Sequence, residues 1–196
     1  MLLRRVVRKI LNYYKYKSYI YIQKTSRIEA GTKVYNPSNL YMGKETRIGP
    51  CSTIMNPRAK FIMKDFSFSA RELLVIDGNH MSVIGIPLCR VTDTMKDELD
   101  IEHKYNQDVV VEEDVWLGAR VTLLSGSHVG RGSIVAAGAV VNGKVLPYSI
   151  VGGVPAKFIK FKWSIEEIMK HELALYPEKD RFTENELKMF FLNVNK

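Results

Sequence analysis

Histidines are the first candidates for chemistry in this sequence, because neutral imidazole is the usual proton acceptor near pH 7. His80 ends the segment 75–80 (VIDGNH), where a regular repeat stops and a long irregular segment begins. His103 lies in that irregular segment, His128 at an outward position of the repeat, and His171 in a predicted helix. The sequence has no His-x4-His pair, which argues against a catalytic zinc centre that needs about three suitably placed ligands. His80 is therefore the leading candidate for proton transfer.

A six-residue repeat surrounds these candidates. Its first position is aliphatic in six consecutive units, at Val111, Leu117, Leu123, Val129, Val135 and Val141. The position four later is small or β-branched, at Val115, Val121, Ser127, Ser133, Ala139 and Val145. Neither the period of 3.6 of a helix nor the period of 2 of a strand produces this pattern. Short strands joined by tight turns into stacked coils do produce it, with the aliphatic side chains inside a narrow axial core.

The repeat extends less regularly into the first half of the chain. The predicted inward residues there are Ile22, Ile28, Val34, Met42, Ile48, Ile54, Ile62, Phe68 and Leu74. Spacings of eight rather than six near Pro37 and Pro57 predict small bulges or loops. Residues 81–107 leave the rhythm, and we expect one long loop that projects from the coils. A loop of this length within a compact domain is usually functional.

Helical segments are predicted on both sides of the repeats. Residues 1–21 have apolar residues at helical spacing with arginines on the other face, which predicts a basic amphipathic N-terminal segment. Ser164 and Glu167 form a capping-box pattern before an apolar run. The sequence therefore predicts an all-β parallel β-helix over 22–160, a loop over 81–107, and helices over 161–196. The flanking helices are expected to cap the solenoid.

Composition limits the class of protein. No segment approaches the roughly 20 apolar residues of a membrane span, and no secretory signal pattern is visible, so we expect a cytoplasmic protein. Cys51 and Cys89 lack metal-type spacing and are expected to be packed thiols. The net charge of +8 derives from residues 1–28, which contain eight basic and no acidic residues. This asymmetry suggests an anionic partner such as a lipid surface, a nucleic acid or a phosphorylated cofactor.

Several motifs together resemble a known family. They are the segments 115–119 (VWLGA), 130–133 (GRGS), 136–141 (AAGAVV) and 147–157 (PYSIVGGVPAK). This pattern is similar to the C-terminal signature of hexapeptide-repeat acyltransferases. It is similar in particular to the galactoside, maltose and nodulation-factor O-acetyltransferases and to the xenobiotic acetyltransferases, and it implies the left-handed parallel β-helix of this family. The likeness covers roughly residues 28–160.

The resemblance implies a homotrimer with three sites between neighbouring β-helices, and acetyl-CoA as cosubstrate without a metal. His80 matches the histidine that takes the acceptor proton as the hydroxyl attacks the thioester directly. Counted from Leu74, His80 lies one position later than in the galactoside enzymes, which favours the xenobiotic branch or a polysaccharide relative. The positions that match cosubstrate contacts are Ala119 and Ala137 for main-chain amides, Trp116 beside the thioester, Asn142, and Lys157 and Lys160 for phosphates. Lys162 would add a further charge, whereas Asn142 and Gly143 replace the family's frequent Thr-Lys pair.

The acceptor is less defined. Asn56 and Asp77 lie near the expected acceptor end and are candidates for binding sugar hydroxyls, and His103 is a candidate for touching the acceptor. Phe66 and Phe68 are interpreted as core rather than as a sugar platform. The preferred function is transfer of an acetyl group from acetyl-CoA to a saccharide hydroxyl. Alternatives are acetylation of a drug-like alcohol, the less favoured acetylation of an amine, and a non-catalytic β-helix scaffold.

Partners follow from the basic N-terminus. Tyrosines and lysines alternate over residues 13–21, a composition suited to a membrane interface and a lipid-linked glycan acceptor. Packing as the solenoid cap is the competing interpretation. No nucleic-acid module accompanies the charge, so no nucleic-acid partner is expected. The sequence thus predicts a homotrimer with a small-molecule or glycan acceptor and leaves peripheral contact with the membrane open.

Overall fold

A computed structural model describes residues 21–102 and 104–194, and its strands form three sheets of parallel coils. Sheet A contains β1 (Tyr21–Ile22), β4 (Leu40–Met42), β7 (Phe61–Met63), β10 (Val109–Val111), β13 (His128–Val129) and β16 (Lys144–Val145). Sheet B contains β2 (Arg27–Ile28), β5 (Arg47–Ile48), β8 (Phe68–Ser69), β11 (Trp116–Leu117), β14 (Ile134–Val135), β17 (Ser149–Gly152) and β18 (Lys157–Phe161). Sheet C contains β3 (Lys33–Val34), β6 (Thr53–Met55), β9 (Leu74–Ile76), β12 (Thr122–Leu123) and β15 (Val140–Val141). Up to β17 each sheet takes every third strand, so the chain winds through A, B and C in every coil, and β18 then pairs antiparallel with β17 at the end of sheet B.

The six-residue repeat of the second half forms the core as predicted. The six aliphatic residues from Val111 to Val141 are at most 2% exposed. The residues four positions later are buried as well, including Ser127 and Ser133. Their hydroxyl groups donate to the main-chain oxygens of Val141 and Leu146, at 2.9 and 2.8 Å. Small polar side chains therefore fit this narrow interior because the adjacent coil supplies their acceptors.

The register of the third coil differs from the prediction by one residue. Met42 pairs with Met63 and Ile54 pairs with Val75, so Met63, Ser69 and Val75 face the core. Ile62, Phe68 and Leu74, which were predicted to be inward, face outward. The inward position is polar because the Ser69 hydroxyl accepts the Gly49 amide at 2.9 Å. Because the apolar Phe68 precedes Ser69, the sequence pattern assigned the wrong residue of the pair to the core.

The correction also applies to other predicted core residues. Phe66 and Phe68 are 41% and 36% exposed, so their assignment to the core was wrong. Cys51 and Cys89 are exposed rather than packed. Near Pro37 the predicted irregularity is a 3-10 helix over Pro37–Asn39.

The segment between β9 and β10, residues 77–108, leaves the coils and is called the insertion below. It was predicted as a loop over 81–107, but it contains a 3-10 helix (Leu88–Arg90) and the helix α1 (Asp93–Leu99). The Thr92 hydroxyl caps α1 by accepting the Met95 amide at 3.2 Å. After α1, the buried Asp100 carboxylate accepts the amides of Lys104 and Tyr105 at 2.7 and 3.0 Å. Local capping thus gives the insertion a defined path.

The C-terminal segment contains α2 (Ile165–Leu175), a 3-10 helix (Glu178–Asp180) and α3 (Glu184–Asn193). The predicted capping box of Ser164 and Glu167 is present. The predicted N-terminal amphipathic helix lies outside the described residues. None of the helices in the described ranges is long and apolar enough to span a membrane.

A buried polar cluster joins α2 to the coils. Glu172 is 1% exposed and accepts the Tyr148 hydroxyl at 2.5 Å and the Arg131 Nη1 at 3.1 Å. It also accepts the Phe182 amide at 3.1 Å. Burial and the nearby carboxylate of Glu172 raise the pKa of Tyr148, which keeps its hydroxyl a donor. Burial alone would lower the pKa of Arg131, but Glu172 and Glu113 raise it overall.

A second buried carboxyl group lies where the insertion begins. Asp77 is fully buried, and its Oδ2 accepts the Ala59 amide at 3.1 Å. Its Oδ1 has no hydrogen-bond partner among the described residues. Burial raises the pKa of Asp77 to about 6, and the charge of Asp108 adds to this while that of Lys96 opposes it. The protonated form is thus favoured by folding.

Replacement of Glu172 by alanine will leave Arg131 and Tyr148 without their shared acceptor. We expect Glu172→Ala to lower the free energy of unfolding by about 3–5 kcal/mol in denaturant titrations, because the Arg131 guanidinium, the Tyr148 hydroxyl and the Phe182 amide all lose a buried acceptor. Glu166→Ala, on the exposed side of the same helix, is the control and should cost less than about 1 kcal/mol. Equal effects of the two changes would contradict the structural role of the cluster.

The raised pKa of Asp77 predicts a pH-dependent stability. Because the folded pKa is above the unfolded one, the contribution of Asp77 to stability is complete below about pH 4 and is lost as the pH rises through about 6. Relative to Asp77→Asn, the wild type should lose up to about 3 kcal/mol of unfolding free energy over this interval. Denaturant titrations from pH 4 to 7 measure the difference. Parallel curves for the two proteins would exclude a raised pKa.

Candidate active site

His80 lies at the start of the insertion, four residues beyond the end of β9. The Asn79 amide donates to the main-chain oxygen of Tyr105 at 2.7 Å, and Gly78 forms an antiparallel bridge with Asn106. The His80 side chain is exposed and has no hydrogen-bond partner within the described part of the chain. The main chain before His80 is therefore fixed while its imidazole remains available. The one-position displacement of His80 relative to the galactoside enzymes was counted from Leu74. The inward residue is Val75, and a count from Val75 removes the displacement. The argument for the xenobiotic branch or a polysaccharide relative is therefore lost.

A cleft of about 240 Å³ opens beside His80 at the edge of sheet C. Apolar side chains of Met55 and Ile76 form one wall, and Asn79, Lys96 and Asn106 lie on the other side. Concave sites with an apolar wall and a few polar groups are typical of small-molecule binding. Neutral imidazole at such a cleft can accept a proton from a bound hydroxyl group.

Sequence reasoning missed Lys96 and Asn106. Lys96 is only 8% exposed, although lysine is almost never buried without partners. Its Nζ donates to the main-chain oxygen of Asn79 at 2.6 Å and to Asn106 Oδ1 at 2.8 Å. The only local signal was Thr92, a residue type that favours the N-cap of a helix, four positions before Lys96.

The residues expected to bind the acceptor do not all reach the cleft. Asn56 is fully buried, where its Oδ1 accepts the Asn36 amide at 3.1 Å and its Nδ2 donates to the Asn36 oxygen at 2.8 Å. These bonds join two coils, so we assign Asn56 to the coil corner. Asp77 borders the cleft, but its carboxyl group is buried beneath the surface. His103 lies outside the described residues.

Ala119 and Ala137 occupy the same corner, between sheets B and C, in successive coils. The Gly138 amide donates to the Ala119 oxygen at 2.8 Å, whereas the amides of Ala119 and Ala137 have no acceptor in the described ranges. A Cβ atom on Gly118 would lie 2.6 Å from the Ala137 nitrogen, so glycine permits this close stacking. The corner presents two main-chain donors next to small side chains, which suits an extended amide-containing ligand.

Lys157 and Lys160 lie on β18, which pairs antiparallel with β17 and ends sheet B. Both side chains are exposed, and neither forms an ion pair with a described residue. Lys162, in contrast, is within 3.5 Å of Asp114 and lies over the Trp163 ring, so it adds little free charge. Asn142 is exposed beside Gly143 at the end of β15. The two free ammonium groups are suited to phosphate.

The outer face of sheet B connects these groups. The register places Trp116 beside Ile134, Ile134 beside Ile150, and Ile150 beside Lys160. Trp116 is 44% exposed and stacks on Phe68 with ring centroids 6.2 Å apart. An apolar strip therefore runs from the basic strand to the exposed aromatic pair.

One chain does not bring all predicted site residues together. Trp116, Ala119, Ala137 and the lysines of β18 belong to sheet B and its corner with sheet C. His80 lies beyond the other end of sheet C, where the chain leaves β9 for the insertion. Within residues 21–102 and 104–194 no group of His, Cys, Asp and Glu side chains is arranged to hold a metal.

Comparison with known sequences places the repeat region. Residues 108–143 match the family described as bacterial transferase hexapeptide (six repeats). A probable macrolide acetyltransferase of Lysinibacillus sphaericus is 47% identical over 87 residues, which are 44% of this chain and 46% of the relative. A chloramphenicol acetyltransferase of Escherichia coli is 43% identical over 61 residues, which are 31% of this chain and 29% of the relative. The match thus spans less than half of the length of these relatives.

Comparison with solved structures covers more of the chain. The hexapeptide-repeat containing acetyltransferase VCA0836 of Vibrio cholerae aligns with a TM-score of 0.62 and 20% identity over 76% of this chain and 78% of that chain. The same protein complexed with acetyl coenzyme A aligns with a TM-score of 0.55 and 20% identity over 79% and 78%. A maltose O-acetyltransferase of Clostridium difficile 630 aligns with a TM-score of 0.58 and 17% identity over 72% and 68%.

These likenesses agree with the parallel coils and the buried six-residue repeat. The prediction of a left-handed parallel β-helix is confirmed. Residues 108–143 thus resemble the hexapeptide-repeat family, and the chain has the left-handed β-helix fold of the solved hexapeptide-repeat acetyltransferases.

Proposed function

We propose that the protein is an acetyl-CoA-dependent O-acetyltransferase that acts on a hydroxyl group of a saccharide, with His80 as general base. The observation that carries the proposal is the exposed imidazole of His80, which has no partner among the described residues and lies at a partly apolar cleft. A base must reach the proton that it removes, and this position satisfies that requirement. The relatives named above are acetyltransferases, which supports the same reaction class.

The reaction needs a single proton acceptor and no covalent acyl-enzyme. His80 takes the proton of the acceptor hydroxyl as its oxygen forms a bond to the thioester carbonyl carbon. The resulting imidazolium then gives this proton to the sulfur as the carbon–sulfur bond breaks. The products are the acetyl ester and CoA with a free thiol, and His80 returns to its neutral form. A main-chain amide is the expected donor to the developing oxyanion.

The described residues fit an acetyl-CoA molecule on sheet B. The free amides of Ala119 and Ala137 suit the pantetheine amides, and Lys157 and Lys160 suit the phosphates as compact charges. Trp116 supplies an exposed apolar surface on the same sheet. Asn142 is the remaining candidate for a polar contact.

The second candidate acceptor is a drug-like alcohol. The identities of 47% and 43% to a probable macrolide acetyltransferase and a chloramphenicol acetyltransferase favour it. The fold shared with a maltose O-acetyltransferase is compatible with a saccharide. Transfer to chloramphenicol or a macrolide, measured beside transfer to maltose and galactosides, separates the two. A non-catalytic scaffold predicts no transfer in any assay.

We also propose that the site is completed in a homotrimer. His80 and the amides of Ala119 and Ala137 lie at opposite ends of sheet C in one chain. A neighbouring β-helix would bring the corner of one copy to the insertion of the next. We place the reaction in the cytoplasm, where acetyl-CoA is supplied. Contact of the basic residues 1–21 with the inner membrane surface stays a prediction.

Acetyl-CoA binding can be tested without an acceptor. We expect Lys157→Ala/Lys160→Ala to weaken binding about tenfold or more in calorimetry, since two phosphate contacts are removed. The control Lys33→Ala/Lys44→Ala removes the same charge from exposed residues elsewhere on the coils and should bind as the wild type does. No binding to the folded wild type would contradict the proposed function.

The same preparations test the base. His80→Asn should retain acetyl-CoA binding and lose transfer by about 10²–10⁴-fold, as expected for removal of a general base. His128→Asn is the control, because His128 bonds to Glu112 on sheet A. CoA release should be followed by chromatography, since exposed Cys51 and Cys89 react with thiol reagents. Undiminished transfer by His80→Asn would exclude His80 as the base.

A site shared between copies predicts complementation. His80→Asn and Lys157→Ala/Lys160→Ala, each impaired alone, should regain activity when unfolded together and refolded as mixed trimers. Random assembly would restore about a quarter of the sites, those that combine an intact His80 from one copy with intact lysines from its neighbour. Simple mixing of preformed trimers is the control and should restore nothing. Persistent inactivity of mixed trimers would mean that each chain contains a whole site.

A further inference from the structure

Lys96 is a buried residue that does not belong to the coils. It lies on α1 in the insertion and is 8% exposed, and a buried ammonium group is costly unless its bonds are well formed. Its bonds go to the Asn79 oxygen at 2.6 Å and to Asn106 Oδ1 at 2.8 Å. Asn79 directly precedes His80. The ammonium group therefore acts on the peptide group that carries the histidine.

The main chain of Gly78 and Asn79 is also fixed by bonds to a second part of the insertion. The Asn79 amide donates to Tyr105 at 2.7 Å, and Asn106, the acceptor of Lys96, forms the bridge with Gly78. A Cβ atom on Gly78 would lie 2.9 Å from Asn106 Oδ1, so glycine permits this close approach. The amide and the carbonyl group of Asn79 thus both bond to later residues of the insertion, Tyr105 and Lys96.

α1 is in turn attached to the coils. Arg58, in the turn after β6, forms an ion pair with Asp93 at 3.4 Å and a second with Asp97. These residues lie on the helix that carries Lys96. The ammonium group is therefore held relative to sheet C, whose outer side chains Met55 and Ile76 form the wall of the cleft.

We propose that Lys96 is a positioning residue for His80: its ammonium group fixes the Asn79 carbonyl and so holds the imidazole at the cleft. This inference rests on the proposed function. Lys96 acts on the reaction through His80 and is distinct from the cosubstrate-binding residues of sheet B. Loss of the ammonium group should therefore lower kcat more than it weakens acetyl-CoA binding. A displacement of about 1 Å at a catalytic group costs on the order of 10²-fold in rate.

The test compares Lys96→Met, which keeps an unbranched stem and removes the ammonium group, with Lys96→Arg, which retains a charged donor. Lys104→Met is the matched control, because Lys104 forms an exposed ion pair with Glu102 in the same insertion. We expect Lys96→Met to lower kcat about 10²-fold with chloramphenicol or maltose, whichever the wild type accepts, and to change the Kd of acetyl-CoA less than about twofold. Lys96→Arg should recover at least about tenfold of the lost rate.

A readout without an acceptor separates this inference from the proposed function. In hydrogen exchange, Lys96→Met should lose protection at the Asn79 amide, and the His80 imidazole signals in NMR of histidine-labelled protein should broaden or divide. If Lys96→Met does not fold, Asn106→Leu, which removes one acceptor of the ammonium group, should show the same changes to a smaller degree. Unchanged kcat, exchange and His80 signals in the folded variant would overturn the proposal. Equal loss of rate in the arginine and methionine variants would overturn it too. If Lys96→Met loses exchange protection while His80→Asn is fully active, the result would support the fixing of the Asn79 carbonyl by Lys96. It would reject only the assignment of His80 as base.

Discussion

The narrow axial core is the constraint on which the rest of the structure depends. Each coil has room for only a few inward side chains, and those of Val111, Leu117 and Leu123 are completely buried. Such an interior tolerates small polar residues only where the adjacent coil offers an acceptor, as it does for Ser127 and Ser133. It offers no space for a cleft. Chemistry is therefore restricted to the outer faces, the corners, and segments that leave the coils.

The insertion shows how this fold acquires a site. It leaves after β9, returns at β10, and turns the edge of sheet C into one wall of a cleft. Buried polar groups hold it there, and they include the Asp77 carboxyl, the Asp100 carboxylate and the Lys96 ammonium group. Each would be costly alone, and the latter two are stabilised by several bonds. The result is a rigid main chain before His80 and an imidazole that is free to act.

Much of the fold could be predicted because its signal is periodic. The rhythm from Val111 to Val145 specifies the coils directly, and its end at Val75 marks the start of the insertion. The register of the third coil could not be predicted, since Ser69 is inward only because Gly49 of the preceding coil supplies a donor. Phe68 was similarly difficult, because an exposed aromatic on a flat sheet has the same local sequence as a buried one.

Some residues of the candidate site could also be predicted from the sequence, and others could not. His80 was predictable from its place at the end of the rhythm, and Lys157 and Lys160 from a motif. Lys96 was not, because a lysine in a polar segment is expected to be solvated, and its burial depends on contacts with Asn79 and Asn106 that the fold creates. Asn56 was misplaced for the related reason that a polar residue between coils looks like a surface residue until its two bonds to Asn36 are known.

The two halves of the proposed site, the corner of sheet B and the insertion, meet only if neighbouring copies pack side by side. The most direct test is a crystal structure of the protein with an acetyl-CoA analogue in which a methylene group replaces the thioester sulfur. The account predicts the carbonyl carbon of the analogue between the corner amides of one copy and the insertion of the next. A His80 nitrogen should lie within about 3–5 Å of the space where an acceptor hydroxyl attacks. A carbonyl group more than about 10 Å from every His80 would contradict the account.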